Sequence, residues 1–94
     1  MYSHYDYKMK RNVVILHPGE YYASGEDCLI STVLGSCVAV ILYDDKNKIG
    51  GMNHFMLPGK TSGGAGELDG KLGIHAMELL IRVVLDAGGE RKNF

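Results

Sequence analysis

The sequence contains no tryptophan, only two prolines, two phenylalanines and two cysteines, and neither sign of charge dominates. The formal net charge of −1 gives no electrostatic basis for binding nucleic acid or an anionic membrane surface. The longest apolar run, residues 38–43, is far too short to span a bilayer. Near the N terminus only residues 13–16 are strongly apolar, which is too few for the core of a signal peptide. We therefore expect a cytoplasmic protein without a nucleic-acid partner and without direct membrane insertion.

The low cysteine count argues against a scaffold held together by disulfides. Cys28 and Cys37 would permit one disulfide, but nothing marks the chain as secreted, so we expect reduced thiols. Glycine is abundant instead, and its 13 copies predict tight turns and close backbone approaches. A length of 94 residues suffices for one hydrophobic core. We expect residues 1–11 to form a mobile N-terminal arm and residues 12–94 to form a single domain.

Hydrophobic periodicity predicts several strands followed by one helix. This order favours an α+β fold, in which a mixed or antiparallel β-sheet with a central hairpin packs against at least one long amphipathic helix. The predicted strand Ser36–Tyr43 is continuously apolar after its first residue and is therefore expected to be buried on both faces. The predicted ranges are strands at Asn12–His17, Cys28–Leu34, Ser36–Tyr43 and Ile49–Leu57, an ambiguous segment at Glu20–Glu26, a glycine-rich loop at Pro58–Gly70, and a helix at Leu72–Ala87.

The predicted hairpin can bring Cys37 and His54 together. In an antiparallel hairpin the numbers of paired residues add to a constant, so a two-residue loop pairs Cys37 directly with His54. A four-residue loop pairs His54 with Ala39, which lies on the same strand face as Cys37 because side chains alternate with period two. A three-residue loop places the two side chains on opposite faces. The length of the loop therefore decides whether the pair forms.

A cysteine beside a histidine can act as a nucleophile and its base. An adjacent imidazolium stabilises the thiolate, which is the reactive form, without a metal or another cofactor. Gly35 permits a bend before the strand, and the backbone N–H groups around Ser36 and Cys37 are candidate oxyanion donors. The hydroxyls of nearby Ser31 and Thr32 are candidates to orient the imidazole or the substrate. A buried cysteine more commonly serves as a small apolar side chain, so the pattern alone leaves both roles open.

Two other kinds of site receive little support from the sequence. The segment "PGKTSGG" resembles part of a phosphate-binding loop, but the motif requires glycine at the position of His54. The four histidines are scattered and do not have the spacing of metal ligands. We therefore expect Gly59-Lys60-Thr61 to be an ordinary loop segment, and no metal site.

Two sequence blocks resemble a known family. "LGSCVAVILYD" and "KIGGMNHFMLPG", with the cysteine and histidine seventeen residues apart, resemble the signature of the chemoreceptor glutamine deamidases, the CheD family. The resemblance runs from about Val13 to the end of the chain and includes "AMELLI" in the predicted helix.

The resemblance implies a cysteine-dependent amidohydrolase. It assigns Cys37 as the nucleophile, His54 as the base and Ser31 as the third catalytic residue, with Thr32 as a nearby substitute. The implied substrate is a glutamine side chain on a methyl-accepting chemotaxis receptor, which is converted to glutamate without a cofactor. The implied partners are that receptor and a phosphatase of the CheC type, which modulates family members.

The resemblance also implies that the domain is truncated at its C-terminal end, because family domains continue beyond the helix and this chain ends at Phe94. Missing strands would leave an exposed sheet edge, which favours self-association. Two alternatives follow. One is a catalytically weak docking module that binds a chemoreceptor or a CheC-type phosphatase, and the other is a different thiol hydrolase, such as a protease or a transglutaminase-like enzyme.

Overall fold

The computed structural model describes residues 1–56 and 65–94, and within the helix it describes side chains from residue 73 onward. The described part of the chain contains strands, one long helix and a short 3₁₀ turn. In chain order these elements are β1 (Tyr2–Asp6), β2 (Arg11–Leu16), β3 (Tyr21–Ser24), β4 (Cys28–Thr32), β5 (Cys37–Asp44), β6 (Ile49–Met56), α1 (Ala65–Asp86) and the 3₁₀ turn (Arg91–Asn93).

The strands form two three-stranded sheets. The first sheet has the order β1-β2-β4, with β1 and β2 antiparallel and β2 and β4 parallel. The second sheet has the order β3-β6-β5 and is antiparallel throughout. Together with the helix, this arrangement confirms the predicted α+β class with mixed and antiparallel strands around a central hairpin.

The helix α1 packs on one face of the second sheet. Leu80 and Val84 are fully buried there and form a core cluster with Ile49 on β6. This close approach depends on Gly51, because a Cβ atom at that position would lie 2.5 Å from Val84 Cγ2. The amphipathic helix predicted from the apolar spacing is therefore confirmed, and Gly51 sets how closely it approaches the sheet.

The loop between β5 and β6 has four residues, 45–48, which settles the register of the hairpin. Asp44 pairs with Ile49, Ala39 with His54, and Cys37 with Met56. The predicted four-residue loop is thus confirmed, and the two-residue and three-residue loops are excluded. Because Cys37 and Ala39 alternate with Val38, Cys37 and His54 lie on the same face of the second sheet.

The prediction that β5 is buried on both faces is wrong. Ile41 is 67% exposed and Tyr43 is 50% exposed, whereas Val40 and Leu42 pack against the core cluster under the helix. The helix covers only the face that carries the even-numbered residues of β5. An uninterrupted apolar run therefore does not by itself distinguish a strand covered on one face from a strand covered on both.

Three other segments differ from their predicted form. Residues 2–6 form β1 and pair with β2, in the region predicted to be a mobile arm; the mobility of that segment stays a prediction. The ambiguous segment 20–26 contains β3. The helix begins at residue 65, so residues 65–70 are not part of a loop as predicted, while the rest of that loop, including Gly59-Lys60-Thr61, lies outside the described residues.

No helical stretch in the described part of the chain has both the length and the hydropathy needed to cross a membrane.

Asp44 is a buried carboxylate that ties the hairpin to the C-terminal segment. It accepts hydrogen bonds from the backbone N–H groups of Asn47 (2.9 Å) and Glu90 (2.7 Å), and from the side-chain amides of Asn47 (2.8 Å) and Asn93 (3.3 Å). Burial by itself raises the pKa of this carboxyl, but the four hydrogen bonds outweigh burial and hold the pKa well below the ordinary value of 3.8. The ionised form is therefore favoured by the folded structure.

Replacing Asp44 with asparagine is expected to destabilise the fold at neutral pH, since an amide cannot accept all four hydrogen bonds. A carboxyl whose pKa falls on folding stabilises the protein above 3.8 and loses that contribution as pH falls toward the lowered value. The loss of wild-type stability below 3.8 should therefore be weaker in Asp44→Asn. Thermal unfolding of both proteins across the acid range measures this difference. The matched variant Asp45→Asn changes an exposed carboxylate and should lower Tm by several degrees less.

Candidate active site

His54 is buried, and its backbone is hydrogen-bonded on both sides. Only 3% of the residue is exposed. Its N–H donates to the carbonyl of Glu20 at 3.0 Å, and its carbonyl accepts from the N–H of Gly19 at 2.7 Å. These two bonds hold the end of β6 against the turn that precedes β3, so the imidazole projects from a fixed backbone.

The hydroxyl of Thr32 contacts both the imidazole of His54 and the carbonyl of Leu16. Thr32 Oγ1 donates to the carbonyl of Leu16 at 2.9 Å and lies 2.7 Å from His54 Nδ1. A hydroxyl carries one hydrogen, so Oγ1 makes both hydrogen bonds at once only by donating to Leu16 and accepting from Nδ1–H. In a neutral imidazole the lone pair then lies on Nε2.

Nε2 of His54 is buried and has no hydrogen-bond partner among the described residues. Such an atom is uncommon, because leaving a buried polar group unpaired costs about 1–3 kcal/mol. Where unpaired groups occur in native proteins, a catalytic role is one of the recognised reasons. The fixed tautomer therefore presents an available base inside the protein.

Cys37 faces the same cavity as His54. The cavity has a volume of about 350 Å³, and both residues contribute to its lining. Because His54 pairs with Ala39, Cys37 is its diagonal neighbour on the sheet face, a relation in which Cα atoms lie ~7–8 Å apart. The thiol does not hydrogen-bond to Nε2. Nucleophile and base are often more loosely placed before substrate binds, so this geometry is compatible with a catalytic pair.

The remaining predicted site residues lie in different surroundings. Ser31 is exposed and lies on the opposite face of β4 from Thr32, because neighbouring side chains alternate along a strand. Gly35 and Ser36 form an exposed bend directly before Cys37, and the space where a Cβ atom of Gly35 would lie is open. The structure therefore brings Thr32 to His54 and leaves Ser31 on the other side of the strand.

Comparison with known proteins gives consistent names. The chain is 50% identical over 90 residues to a probable chemoreceptor glutamine deamidase CheD of Shewanella oneidensis, covering 94% of the chain and 44% of that protein. It is 47% identical over 95 residues to a protein of the same name from Burkholderia vietnamiensis, covering 98% of the chain and 39% of that relative. A third, from Cupriavidus pinatubonensis, is 42% identical over 93 residues, covering 96% and 43%. The chain is a homologue of the CheD proteins.

The CheD relatives are considerably longer than this chain, which spans about two fifths of the length of the three named above. No family model matches the chain, and no solved structure matches it. The activity, substrates and partners of the whole relatives therefore enter below as proposals.

Sequence reasoning did not single out Leu16, which helps to build the site of this CheD homologue, or Asn53, the buried residue that precedes His54 on β6. Leu16 supplies the carbonyl that takes the Thr32 hydrogen, through the parallel pairing of Leu16 with Thr32. Asn53 is 2% exposed; its Oδ1 accepts from the N–H of Val40 and its Nδ2 donates to the carbonyl of Ala76 on α1. The signal that could have identified Asn53 is an asparagine next to the candidate base within a predicted strand, since a polar side chain buried there needs hydrogen-bond partners.

Proposed function

We propose that the chain is a cysteine-dependent amidohydrolase that converts glutamine side chains of chemoreceptors to glutamate. The single observation that carries the proposal is the buried, unpartnered Nε2 of His54 in the cavity that Cys37 also lines. The names of the CheD relatives support the choice of reaction and of substrate. The reaction requires no cofactor.

The proposed reaction uses the two side chains in turn. Nε2 of His54 takes the proton of the Cys37 thiol, and the thiolate attacks the carboxamide carbon of the substrate. The carbon–nitrogen bond breaks as the imidazolium returns the proton to the departing ammonia, which leaves a thioester. Water then attacks the thioester with His54 again as base, and the products are the glutamate carboxylate and the free thiol of Cys37.

Two further groups have proposed roles in this reaction. Thr32 holds the tautomer of His54 by accepting from Nδ1–H. Thr32 thus takes the role of third catalytic residue that the family resemblance assigned to Ser31. The backbone N–H groups of the bend at Gly35 and Ser36 and of Cys37 itself would donate to the oxyanion of the tetrahedral intermediate. A cytoplasmic location, a CheC-type phosphatase partner and self-association also stay predictions.

Incubation of the chain with a helical receptor peptide that contains glutamine tests the proposal. Mass spectrometry should show amide-to-acid conversion at glutamine, with one ammonia released for each site converted. Cleavage of the peptide backbone would instead indicate a thiol protease. Peptide binding without ammonia release would indicate a docking module, and either result would overturn the proposal.

Replacing Thr32 with valine is expected to lower kcat by about tenfold, the effect of losing one ordinary hydrogen bond of ~1.4 kcal/mol. Valine has nearly the same shape but cannot accept from Nδ1–H, so the imidazole is free to present the wrong nitrogen. The steady-state rate of ammonia release measures the effect. Thr32→Ser keeps the hydroxyl and should restore most of the rate, whereas Ser31→Ala should have little effect. Equal rates for Thr32→Val and the wild type would show that the tautomer is held in another way.

A further inference from the structure

The cavity that contains Cys37 and His54 has a largely apolar wall. Besides those two residues its lining includes Ile15, Leu16 and Pro18, together with Tyr2 from β1 and Val33 from the segment after β4. His17 contributes a second imidazole to the lining. A substrate that reaches the thiol therefore passes along hydrocarbon and aromatic surface.

Tyr2 is fixed in place yet half exposed. Its backbone pairs with Ile15 in the first sheet, and its ring lies 5.9 Å from the ring of His4 and 6.0 Å from that of His17. Even so, 52% of the residue remains open to solvent. An aromatic ring held in this way offers a large contact area and loses little side-chain entropy when a ligand binds.

Val33 is exposed on the lining of the same cavity. It directly follows Thr32 and is 85% exposed. Because Thr32 is hydrogen-bonded to both Leu16 and His54, the backbone that carries Val33 is held close to the base. Tyr2 and Val33 together, called here the apolar rim, therefore lie at fixed places around the candidate active site.

The described lining of the cavity contains no aspartate, glutamate, lysine or arginine. Two charged groups lie beside the lining at His17: the carboxylate of Glu20 accepts from the N–H of His17 at 2.6 Å, and the N-terminal ammonium of Met1 pairs with Glu20 and lies 3.2 Å from His17 Nδ1. Because the Met1 ammonium and the Glu20 carboxylate already pair with each other, a charged substrate side chain against the apolar rim would lose hydration and find no unpaired opposite charge among the described lining residues. An apolar side chain in the same place would bury surface favourably.

From these observations we infer that the apolar rim selects the substrate: Tyr2 and Val33 favour glutamines whose neighbours on the same helix face are apolar, and disfavour glutamines flanked by charged residues. This inference deepens the proposed function and rests on it for the identity of the reacting glutamine. It assigns the strand β1 a role in substrate binding through Tyr2.

A pair of matched peptides tests the inference. Both are helical and carry one glutamine at the same position; the residues three and four positions to either side are alanine and leucine in one peptide and glutamate in the other. Binding of each is measured by fluorescence anisotropy with the Cys37→Ser chain, which binds without turnover. We expect the apolar peptide to bind about tenfold more tightly, a ratio typical of discrimination by an apolar pocket.

Variants of the apolar rim should remove this preference. Adding Tyr2→Ala or Val33→Ala to the Cys37→Ser chain is expected to weaken binding of the apolar peptide several-fold and to leave the charged peptide nearly unchanged. Tyr2→Phe should keep the preference, because the ring is retained. Tyr5→Ala is the matched control, since Tyr5 lies on the same strand with similar exposure and does not line the cavity.

The outcomes of the two proposals can be told apart. Equal affinities for the two peptides, or a preference that survives in both rim variants, would overturn the selection by Tyr2 and Val33 whatever the activity of the wild type. Failure of the wild type to deamidate either peptide would overturn the proposed function, while the binding ratio would still decide the role of the rim.

Discussion

Replacing Cys37 with serine is expected to abolish deamidation and to leave the fold intact. A serine hydroxyl ionises far less readily than a thiol and is a much weaker nucleophile toward an amide at neutral pH. Loss of a catalytic nucleophile typically lowers kcat by three orders of magnitude or more, to about the background rate. Cys37 is half-buried at the first position of β5, and exchange of sulfur for oxygen changes little volume there.

Cys28 supplies the matched control for that experiment. It is also a free, half-buried cysteine at the first position of a strand, but it lines a different cavity from His54. Ammonia release from a receptor peptide should therefore continue in Cys28→Ser at the wild-type rate. If Cys37→Ser retained normal deamidation while Cys28→Ser lost it, the nucleophile would have been assigned to the wrong thiol.

Replacing His54 with alanine is expected to lower kcat by about 10²- to 10⁴-fold, the usual contribution of a general base. The change removes the imidazole whose Nδ1 is hydrogen-bonded to Thr32 Oγ1, and with it the unpartnered Nε2. The reaction of Cys37 with iodoacetamide near neutral pH should slow as well, because the imidazole on the same sheet face as Cys37 is no longer present to take the thiol proton. Single-turnover kinetics and the rate of alkylation measure the two effects separately.

His75 provides a control for general effects of removing an imidazole, since it is exposed on α1. His75→Ala should keep both the rate of deamidation and the rate of alkylation. Because His54 is buried, thermal unfolding of His54→Ala needs to be measured alongside the kinetics. A folded His54→Ala protein that deamidated at the wild-type rate would show that another group acts as the base.

Much of the fold follows from local sequence. The alternation of apolar runs with turn residues places four strands within a few residues of their observed bounds, and the 3.6-residue spacing identifies the buried side of α1 at Leu80 and Val84. The polar turn between β5 and β6 restricts the hairpin to a few loop lengths. Two of the three lengths considered put Cys37 and His54 on one face and the third puts them on opposite faces, so the sequence alone did not fix their common side.

The sequence is less informative where a contact joins distant segments. β1 was not predicted as a strand, because its polar and aromatic residues have no buried stripe and the strand depends on pairing with β2. The predicted burial of β5 on both faces was wrong for a related reason: only the packing of α1 determines which face is covered. The local sequence pattern shows that the side chains of a strand are apolar enough to be buried. It does not show which of the two strand faces another element will cover.

The amino-acid sequence by itself determined four of the strands, the helix that follows them, and the hairpin that carries Cys37 and His54. Only the tertiary structure decided that the loop has four residues, that the parallel pairing of β2 with β4 brings Thr32 and the carbonyl of Leu16 to His54, and that Tyr2 lines the same cavity. The physical reason is that side-chain periodicity is a property of a few neighbouring residues. Hydrogen bonds across two sheets depend on how those sheets are placed, which no short stretch of sequence specifies.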